Sequence, residues 1–204
     1  MNRNEKNLLT RQKIVDSAKL EFGSRSYGEA SLNTICTSGQ ISKGIIYHYF
    51  KDKDELYLLC VKECFDMLTD YLSSATSLDN VPITVALQRY FDARIAFFAE
   101  HPTYLKLFCN AVMSPPAHLE SAIDNIAAKL DAQAVSILTA MLQKVKLREN
   151  ITIPEVIEVF CEYQDFVNAR FQVRTAEEGT LREHEERCRR SLQIMLYGVI
   201  EREI

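Results

Sequence analysis

Residues 31–50 constrain the fold of this chain more than any other segment, because they carry two short helical patterns separated by a turn. In the first pattern, apolar residues recur at helical spacing and share one face: Leu32, Ile35 and Cys36. Ser31 precedes them, and its hydroxyl can cap the helix. The pattern then breaks, and we expect Gly39 to supply the positive φ of a sharp turn.

The second helical pattern follows Ser42, which we expect to cap it. Ile46 and Phe50 are four residues apart and should point to the core. Another face carries a glycine and two polar rings, Gly44, Tyr47 and His48, with the cation Lys43 beside them at the helix start. Such groups suit phosphate contact. The arrangement is typical of a helix-turn-helix, whose second helix enters the major groove of DNA.

This stretch and its flanks resemble the DNA-binding half of the TetR/AcrR family of transcriptional repressors. The residues that carry the resemblance are Ile14, Ala18, Phe22, Tyr27-Gly28, Ser42-Lys43-Gly44, Tyr47-His48-Tyr49-Phe50, Lys51, Lys53 and Leu56. The resemblance implies an all-α fold, with an N-terminal three-helix DNA-binding domain over residues 1–52. Residues 53–204 would then form a helical bundle for effector binding and dimerisation.

The same resemblance implies contacts with double-stranded operator DNA at a defined set of residues: Ser31, Ser42, Lys43, Gly44, Ile45, Tyr47, His48 and Lys53. The family's turn usually reads Ala-Gly-Val-Ser, and Gln40 stands here where glycine is usual. Either Gln40 is strained or the turn is shifted by one residue. Ile45 replaces a residue that is often small or polar, and we expect it to contact thymine methyl groups.

The charge distribution agrees with a DNA-binding N-terminus. The net charge is −4. Residues 1–62 hold ten basic and seven acidic residues, whereas residues 63–204 hold 14 basic and 21 acidic residues. We expect no membrane partner and a cytoplasmic location, because no apolar run approaches the length that spans a bilayer and the start has no apolar signal core. The six scattered cysteines predict reduced thiols.

Nearly all of the remaining sequence predicts helices. The first should run roughly from Thr10 to Ser24, and a long helix should cover Ala117 to about Leu147. The last two, Pro154–Arg174 and Leu181–Glu203, carry more apolar residues than one helix face needs. Either both faces bury inside one subunit, or two helices per subunit form a four-helix dimer interface. We favour a homodimer, with interface residues Val156, Phe160, Val167, Leu192, Met195 and Val199.

The resemblance also implies an effector cavity. The candidates for its lining are six aromatic residues, two arginines and one methionine, which lie in the middle helices and in the predicted helix Pro154–Arg174: Phe91, Arg94, Phe98, Tyr104, Phe108, Met113, Tyr163, Phe166 and Arg170. Arg94 and Arg170 lie in apolar surroundings, so each needs either an anionic effector or an acidic partner within the chain. We interpret the charged run at residues 182–190 as a solvated helix face.

The sequence lacks the motifs of the enzyme classes that use a helical bundle or a phosphate loop. No histidine has a glutamate three residues before it, and no Walker-A motif or nucleophile elbow occurs. We therefore expect no catalytic residues, no cofactor and no metal site. The leading hypothesis is a ligand-responsive repressor that binds a palindromic operator as a homodimer. The alternative is a helical small-molecule-binding protein or enzyme that keeps the scaffold without binding an operator.

Overall fold

The computed structural model describes residues 2–75, 81–174 and 181–200; for residues 167–174, 181, 182 and 184 it describes the helical backbone alone. Within these ranges the chain is all-helical, which confirms the predicted fold class. The helices are α1 (Arg3–Phe22), α2 (Leu32–Ser38), α3 (Lys43–Tyr49), α4 (Lys53–Ala75), α5 (Ile83–Glu100), α6 (Pro102–Met113), α7 (Glu120–Leu142), α8 (Ile153–Arg174) and α9 (Leu181–Val199). No helix in the described part is both long and apolar enough to cross a membrane.

Helix α1 begins seven residues earlier than the apolar pattern predicts. Asn2 caps it, since the Asn2 side chain accepts from the Asn4 amide at 2.8 Å and the Glu5 carboxylate accepts from the Asn2 amide at 2.9 Å. This reciprocal capping box satisfies two amides that would otherwise have no helical partner. The buried residues of α1 start only at Ile14, and the two leucines before it, Leu8 and Leu9, are exposed, so no buried stripe marks the first half of the helix.

The chain divides into two compact units. The first comprises Met1–Asp66 and His101–Ala127, and the second comprises Met67–Glu100 and Ala128–Ile204. In the first unit α1 packs against α2 and α6, and α2 packs against α3. The core of this unit is formed by fully covered side chains: Ile14, Phe22, Ile35, Ile46, Leu56, Tyr57 and Leu107. The boundary that we expect at residue 52 separates a DNA-binding domain from an effector-binding and dimerisation domain, and it stays a prediction.

In the second unit α9 packs against α5 and α8. Helix α7 ends at Leu142, five residues before the predicted end near Leu147. The difference arises because Leu147 pairs with Ile200 in an isolated antiparallel bridge, and the Arg148 amide donates to the Val199 carbonyl at 2.9 Å. These pairings give the backbone an alternative to continuing the helix.

Candidate nucleic-acid interface

The turn between α2 and α3 is a Schellman motif. The Ile41 amide donates to the Cys36 carbonyl at 2.8 Å and the Gln40 amide donates to the Thr37 carbonyl at 3.2 Å. This motif needs a left-handed residue just after the helix, and that residue is usually glycine. Here it is Gln40, with φ 49°. Of the two sequence-based alternatives for this turn, strain at Gln40 is therefore the one that the structure shows.

The expectation that Gly39 adopts a positive φ is wrong, because its φ is −79° and its ψ is −6°. Gly39 serves close packing instead. A Cβ at this position would lie 2.6 Å from Ser17 Oγ, 2.7 Å from Ile41 Cδ1 and 3.1 Å from the Ile35 carbonyl oxygen. The turn thus requires a residue without a side chain at position 39 and a left-handed backbone at position 40. Gly39 satisfies the first requirement, and Gln40 adopts the left-handed conformation.

Two buried anchors hold the seven-residue helix α3 in place. Ile46 and Phe50 are 1% and 3% exposed, as their spacing predicts. Ser42 caps the helix as expected, its hydroxyl accepting from the Ile45 amide at 3.4 Å. A helix this short is not stable in water alone. Burial of two large apolar side chains, at roughly 1.5–3 kcal/mol each, is what fixes it on the domain.

The opposite side of α3 is open to solvent. Its exposed residues are those predicted to meet DNA: Ser42, Lys43, Gly44, Ile45, Tyr47 and His48. Ile45 is 40% exposed and Tyr47 is 50% exposed, which is high for apolar and aromatic residues. The structure therefore brings these six side chains together on one surface, which we call the reading face. Their contacts with DNA stay predictions.

Gly44 has no packing role in the fold. A Cβ at Gly44 would meet no protein atom within 4 Å, and its φ is not positive. Glycine in a helix is less stable than alanine by roughly 0.5–1 kcal/mol. The fold would therefore tolerate or favour alanine here. What glycine offers in its place is an uncovered backbone on the reading face.

Ser31 lies away from the tip of the reading face and serves the fold. Its hydroxyl accepts from the Asn33 amide at 3.2 Å, which caps α2. Its own amide donates to the Glu21 carboxylate at 2.9 Å. Because Ser31 is only half-buried, its hydroxyl remains accessible at the start of α2. Its predicted DNA contact remains untested.

Lys53, whose predicted phosphate contact stays a prediction, makes contacts within the domain. Its ammonium donates to the Tyr27 carbonyl and lies 4.2 Å from the centre of the Tyr27 ring. The Tyr27 hydroxyl in turn donates to Asp54, and His118 Nε2 lies 3.2 Å from the same carboxylate. Burial lowers the pKa of Lys53. The sequence pattern missed this arrangement because Tyr27 is 26 residues away.

The predicted effector residues divide between the two compact units. Phe91, Arg94, Phe98, Tyr163, Phe166 and Arg170 belong to the second unit, whereas Tyr104, Phe108 and Met113 belong to the first. The side chains of Phe91, Phe98, Tyr104, Phe108 and Met113 are buried. Tyr163 is half-buried, and its hydroxyl lies 2.6 Å from Ser191 Oγ. The side chain of Arg170 lies outside the described residues. Whether any of these groups meets an effector stays a prediction.

Arg94 has an acidic partner within the chain, which is the second of the two alternatives left open for it. Its guanidinium donates twice to the Glu185 carboxylate, at 2.8 and 2.9 Å, and both residues are buried. Burial lowers the pKa of Arg94, but the charge of Glu185 and hydrogen bonds to Glu185 and Tyr90 outweigh it and raise the pKa above its ordinary value. The pair joins α5 to α9.

Glu185 corrects the interpretation of residues 182–190 as a solvated face, since it is 2% exposed. The rest of the interpretation holds where side chains are described, because Glu183, Glu186, Arg187 and Arg190 are exposed. A periodic signal for Glu185 does exist. It precedes Cys188 by three residues and Leu192 by seven, and so lies on the buried stripe of α9.

The predicted dimer residues need a similar correction. Val156, Phe160 and Leu192 are covered within the single chain, so their side chains are not available to a partner. Met195 and Val199 are half-buried, and the side chain of Val167 lies outside the described residues. Among the side chains that the structure describes on α8 and α9, the large apolar ones that are exposed are Val159, Phe166, Ile194 and Tyr197, each 50–57% exposed. Phe166, which was predicted to line the effector cavity, is among these exposed residues, and its role stays a prediction.

Comparison with known proteins identifies the N-terminal segment. Residues 14–60 match the bacterial regulatory proteins of the tetR family. The transposon Tn10 TetC protein of Escherichia coli is 34% identical over 71 residues, which cover 35% of this chain and 36% of TetC. The icaADBC biofilm operon negative transcriptional regulator IcaR of Staphylococcus epidermidis is 29% identical over 107 residues, covering 52% of this chain and 56% of IcaR. The chain thus spans about half or less of the length of these curated relatives.

Solved structures match the chain over nearly its full length. A tetR-family regulator from Mesorhizobium loti aligns with a TM-score of 0.68 at 17% identity, covering 98% of this chain and 100% of that one. The regulator FadR of Bacillus subtilis, crystallised with stearoyl-CoA, aligns with a TM-score of 0.68 at 14% identity, covering 92% and 98%. At these identities the likeness shows the fold alone. The helix-turn-helix segment of this chain, residues 14–60, is therefore similar to the bacterial regulatory proteins of the tetR family.

Proposed function

We propose that this chain is a ligand-responsive transcriptional regulator. In this proposal it acts as a repressor: a homodimer binds a palindromic operator in the cytoplasm, and a small-molecule effector releases it. The observation that carries the proposal is the reading face on α3. It presents a cation, two polar rings, an exposed isoleucine and a bare glycine on a helix that buried anchors hold rigidly.

The chemistry of the reading face suits duplex DNA. The Lys43 ammonium and the Tyr47 and His48 side chains can donate to phosphate oxygens. Gly44 lets a phosphate approach the backbone without a Cβ in the way. Ile45 projects between these groups and offers an apolar contact to a thymine methyl group. Phosphate contacts would fix the register of the helix, and Ile45 would contribute to the choice of sequence.

A homodimer is part of the proposal because one helix-turn-helix reads only a short half-site. Two-fold dimers read two half-sites about 34–36 Å apart. The surface that we assign to the second copy is the exposed apolar face of α8 and α9, formed by Val159, Phe166, Ile194 and Tyr197. Four large apolar side chains that are each at least half exposed favour association, since burying them removes apolar surface from water.

Two of the compared proteins support the repressor and effector parts of the proposal. IcaR, which matches 52% of this chain, is described as a negative transcriptional regulator. FadR shares the fold and was crystallised with stearoyl-CoA, which is consistent with a ligand site in a helical bundle of this kind. Neither comparison assigns an effector to this chain.

The DNA-binding role is tested by neutralising one cation of the reading face. We expect Lys43→Gln to weaken binding to a preferred duplex. The plot of log affinity against log salt should also become less steep, its negative slope shrinking in magnitude by about 1. The matched control is Lys62→Gln, because Lys62 is an equally exposed lysine that pairs with Asp66 on α4. Fluorescence anisotropy measures both. Equal effects of the two variants would contradict the assignment of the reading face.

The dimer surface is tested separately. Ile194→Asp places a charge on the exposed apolar face, at its most exposed residue, and should convert the dimer to monomer at micromolar concentration. Val85→Asp is the control, because Val85 is an exposed apolar residue on α5 in the same unit. Sedimentation velocity reports the result. A dimer that survives Ile194→Asp unchanged would move the interface elsewhere.

A further inference from the structure

The first half of α1 projects beyond the hydrophobic core. Residues 3–13 contain no buried side chain, and the core of the helix starts at Ile14. At 1.5 Å per residue this projection is about 16 Å long. The capping box at Asn2 and Glu5 holds its end helical. A chain gains little stability from extending a helix that buries nothing, so the projection calls for another reason.

The projection holds the entire positive charge excess of the N-terminal region. Residues 1–13 contain four basic residues and one acidic residue, a net charge of +3. Residues 14–62, which include the whole helix-turn-helix, contain six basic and six acidic residues and are neutral. The basic N-terminus inferred from the sequence is therefore the exposed start of α1, and the helix-turn-helix adds nothing to its net charge.

Two residues of the projection contact the end of α3 and the residue after it. Arg3, Asn7 and Arg11 are spaced four residues apart, so they form one stripe along the helix. Asn7 Oδ1 accepts from the Tyr49 hydroxyl at 3.2 Å, and the Arg11 guanidinium lies 5.4 Å from the centre of the Phe50 ring. Lys6 and Lys13 share the neighbouring face, about 110° around the helix from the centre of this stripe, whereas Glu5 lies on the side opposite the stripe.

Because the start of α1 contacts the end of α3, its positive charge lies close to where DNA phosphates would be when α3 occupies the major groove. Helices in side-chain contact have axes about 8–10 Å apart. The major groove is about 12 Å wide and is walled by two phosphate backbones, so each wall lies about 6 Å from the groove centre. A helix beside a groove-bound α3 is therefore close to one wall. Lysine and arginine side chains reach across the remaining gap.

From this placement we infer that residues 3–13 of α1 form a second DNA contact, a cationic clamp on the phosphate backbone that flanks the groove bound by α3. The inference rests on the proposed DNA-binding function and extends it to a surface outside the helix-turn-helix. Arg3, Lys6 and Lys13 would pair with phosphates. Arg11 would hold the clamp against α3 through Phe50, and Asn7 would do so through Tyr49. The clamp adds affinity at every DNA sequence and leaves sequence choice to α3.

The test is a triple variant, Arg3→Gln, Lys6→Gln and Lys13→Gln, compared with a control of identical net charge. The control is Lys129→Gln, Lys144→Gln and Lys146→Gln, three exposed lysines of the second unit. Anisotropy titrations on a specific and a scrambled duplex give affinity at several salt concentrations. Circular dichroism verifies that both variants keep the wild-type helix content.

We expect the α1 variant to reduce the magnitude of the negative slope of log affinity against log salt by about 1 for each neutralised side chain that contacts a phosphate. It should weaken both duplexes by the same factor, at least tenfold at low salt, while the control stays within twofold of wild type. An α1 variant with the wild-type salt slope would overturn the clamp. If wild type itself binds neither duplex in a salt-dependent way, the proposed DNA-binding function fails instead, which is a different outcome.

Discussion

Replacing Gly44 with alanine should separate the stability of the fold from its capacity to bind DNA. The new methyl group meets no protein atom within 4 Å, so no steric penalty opposes it. Alanine is favoured over glycine within a helix by roughly 0.5–1 kcal/mol. Because residue 44 lies in the first turn of α3, we expect the lower end of that range. The folded domain should therefore become slightly more stable.

The same methyl group should weaken DNA binding. If it displaces a phosphate from one backbone or side-chain donor, the loss is that of one hydrogen bond to a charged group, about 1.5–3 kcal/mol. This corresponds to a rise in Kd of roughly 10- to 150-fold. Urea denaturation measures the first effect and fluorescence anisotropy on a specific duplex measures the second.

The control for Gly44→Ala is Gly28→Ala. A Cβ at Gly28 also meets no protein atom within 4 Å, and Gly28 lies in the turn before α2. We expect Gly28→Ala to leave DNA affinity within twofold of wild type. A Gly44→Ala variant that binds DNA with wild-type affinity would refute the reasoning, because glycine at this position would then have neither a structural nor a functional role.

Four further changes test the packing described above. Gln40→Gly should stabilise the chain by roughly 0.5–1 kcal/mol, since it removes about 1–2 kcal/mol of left-handed strain and adds about 0.4–1 kcal/mol of unfolded-state freedom; an unchanged or lower urea midpoint would contradict this. Gly39→Ala should instead destabilise by about 1–3 kcal/mol, because its methyl group clashes with Ser17 Oγ. Tyr57→Phe should be neutral or stabilising in thermal denaturation, since the buried Tyr57 hydroxyl has no hydrogen-bond partner. Arg94→Met should destabilise the chain by about 3–5 kcal/mol, because it leaves the carboxylate of Glu185 buried and unpaired. Adding Glu185→Leu should restore most of the lost stability. An Arg94→Met variant as stable as wild type would contradict this reasoning.

Local patterns in the sequence were sufficient for the fold class and for the reading face. The helix-turn-helix was predictable because its determinants are short-range: a cap at Ser42, anchors at Ile46 and Phe50, and polar groups on the other side of the same helix. All three observations depend on helical spacing within a few residues. The structure places each of these residues where the spacing predicts.

The features that the sequence did not reveal depend on contacts between distant residues. Lys53 lies against Tyr27, and Arg94 is paired with Glu185, which is 91 residues away. No local pattern distinguishes a lysine that meets a backbone carbonyl from one that meets a phosphate. Glu185 was misassigned because its neighbours in sequence are charged, although its position on the buried stripe of α9 was visible in the spacing.

The turn shows a third limit. Glycine next to a break in a helical pattern usually indicates a positive φ, but at Gly39 a close approach by Ser17 and Ile41 decides the residue type. The left-handed position falls on Gln40. Only the packed structure separates a glycine that is required for its backbone conformation from one that is required for the absence of a side chain.

Selection of duplex DNA by the wild-type chain from a random library, followed by titration of the recovered site at about 50–200 mM salt, bears on everything proposed above. We predict a palindromic site whose half-sites lie about 34–36 Å apart, occupied by two chains. Its affinity should fall steeply as salt increases. Recovery of no preferred sequence, or an affinity that does not change with salt, would contradict the assignment of this chain as a DNA-binding regulator.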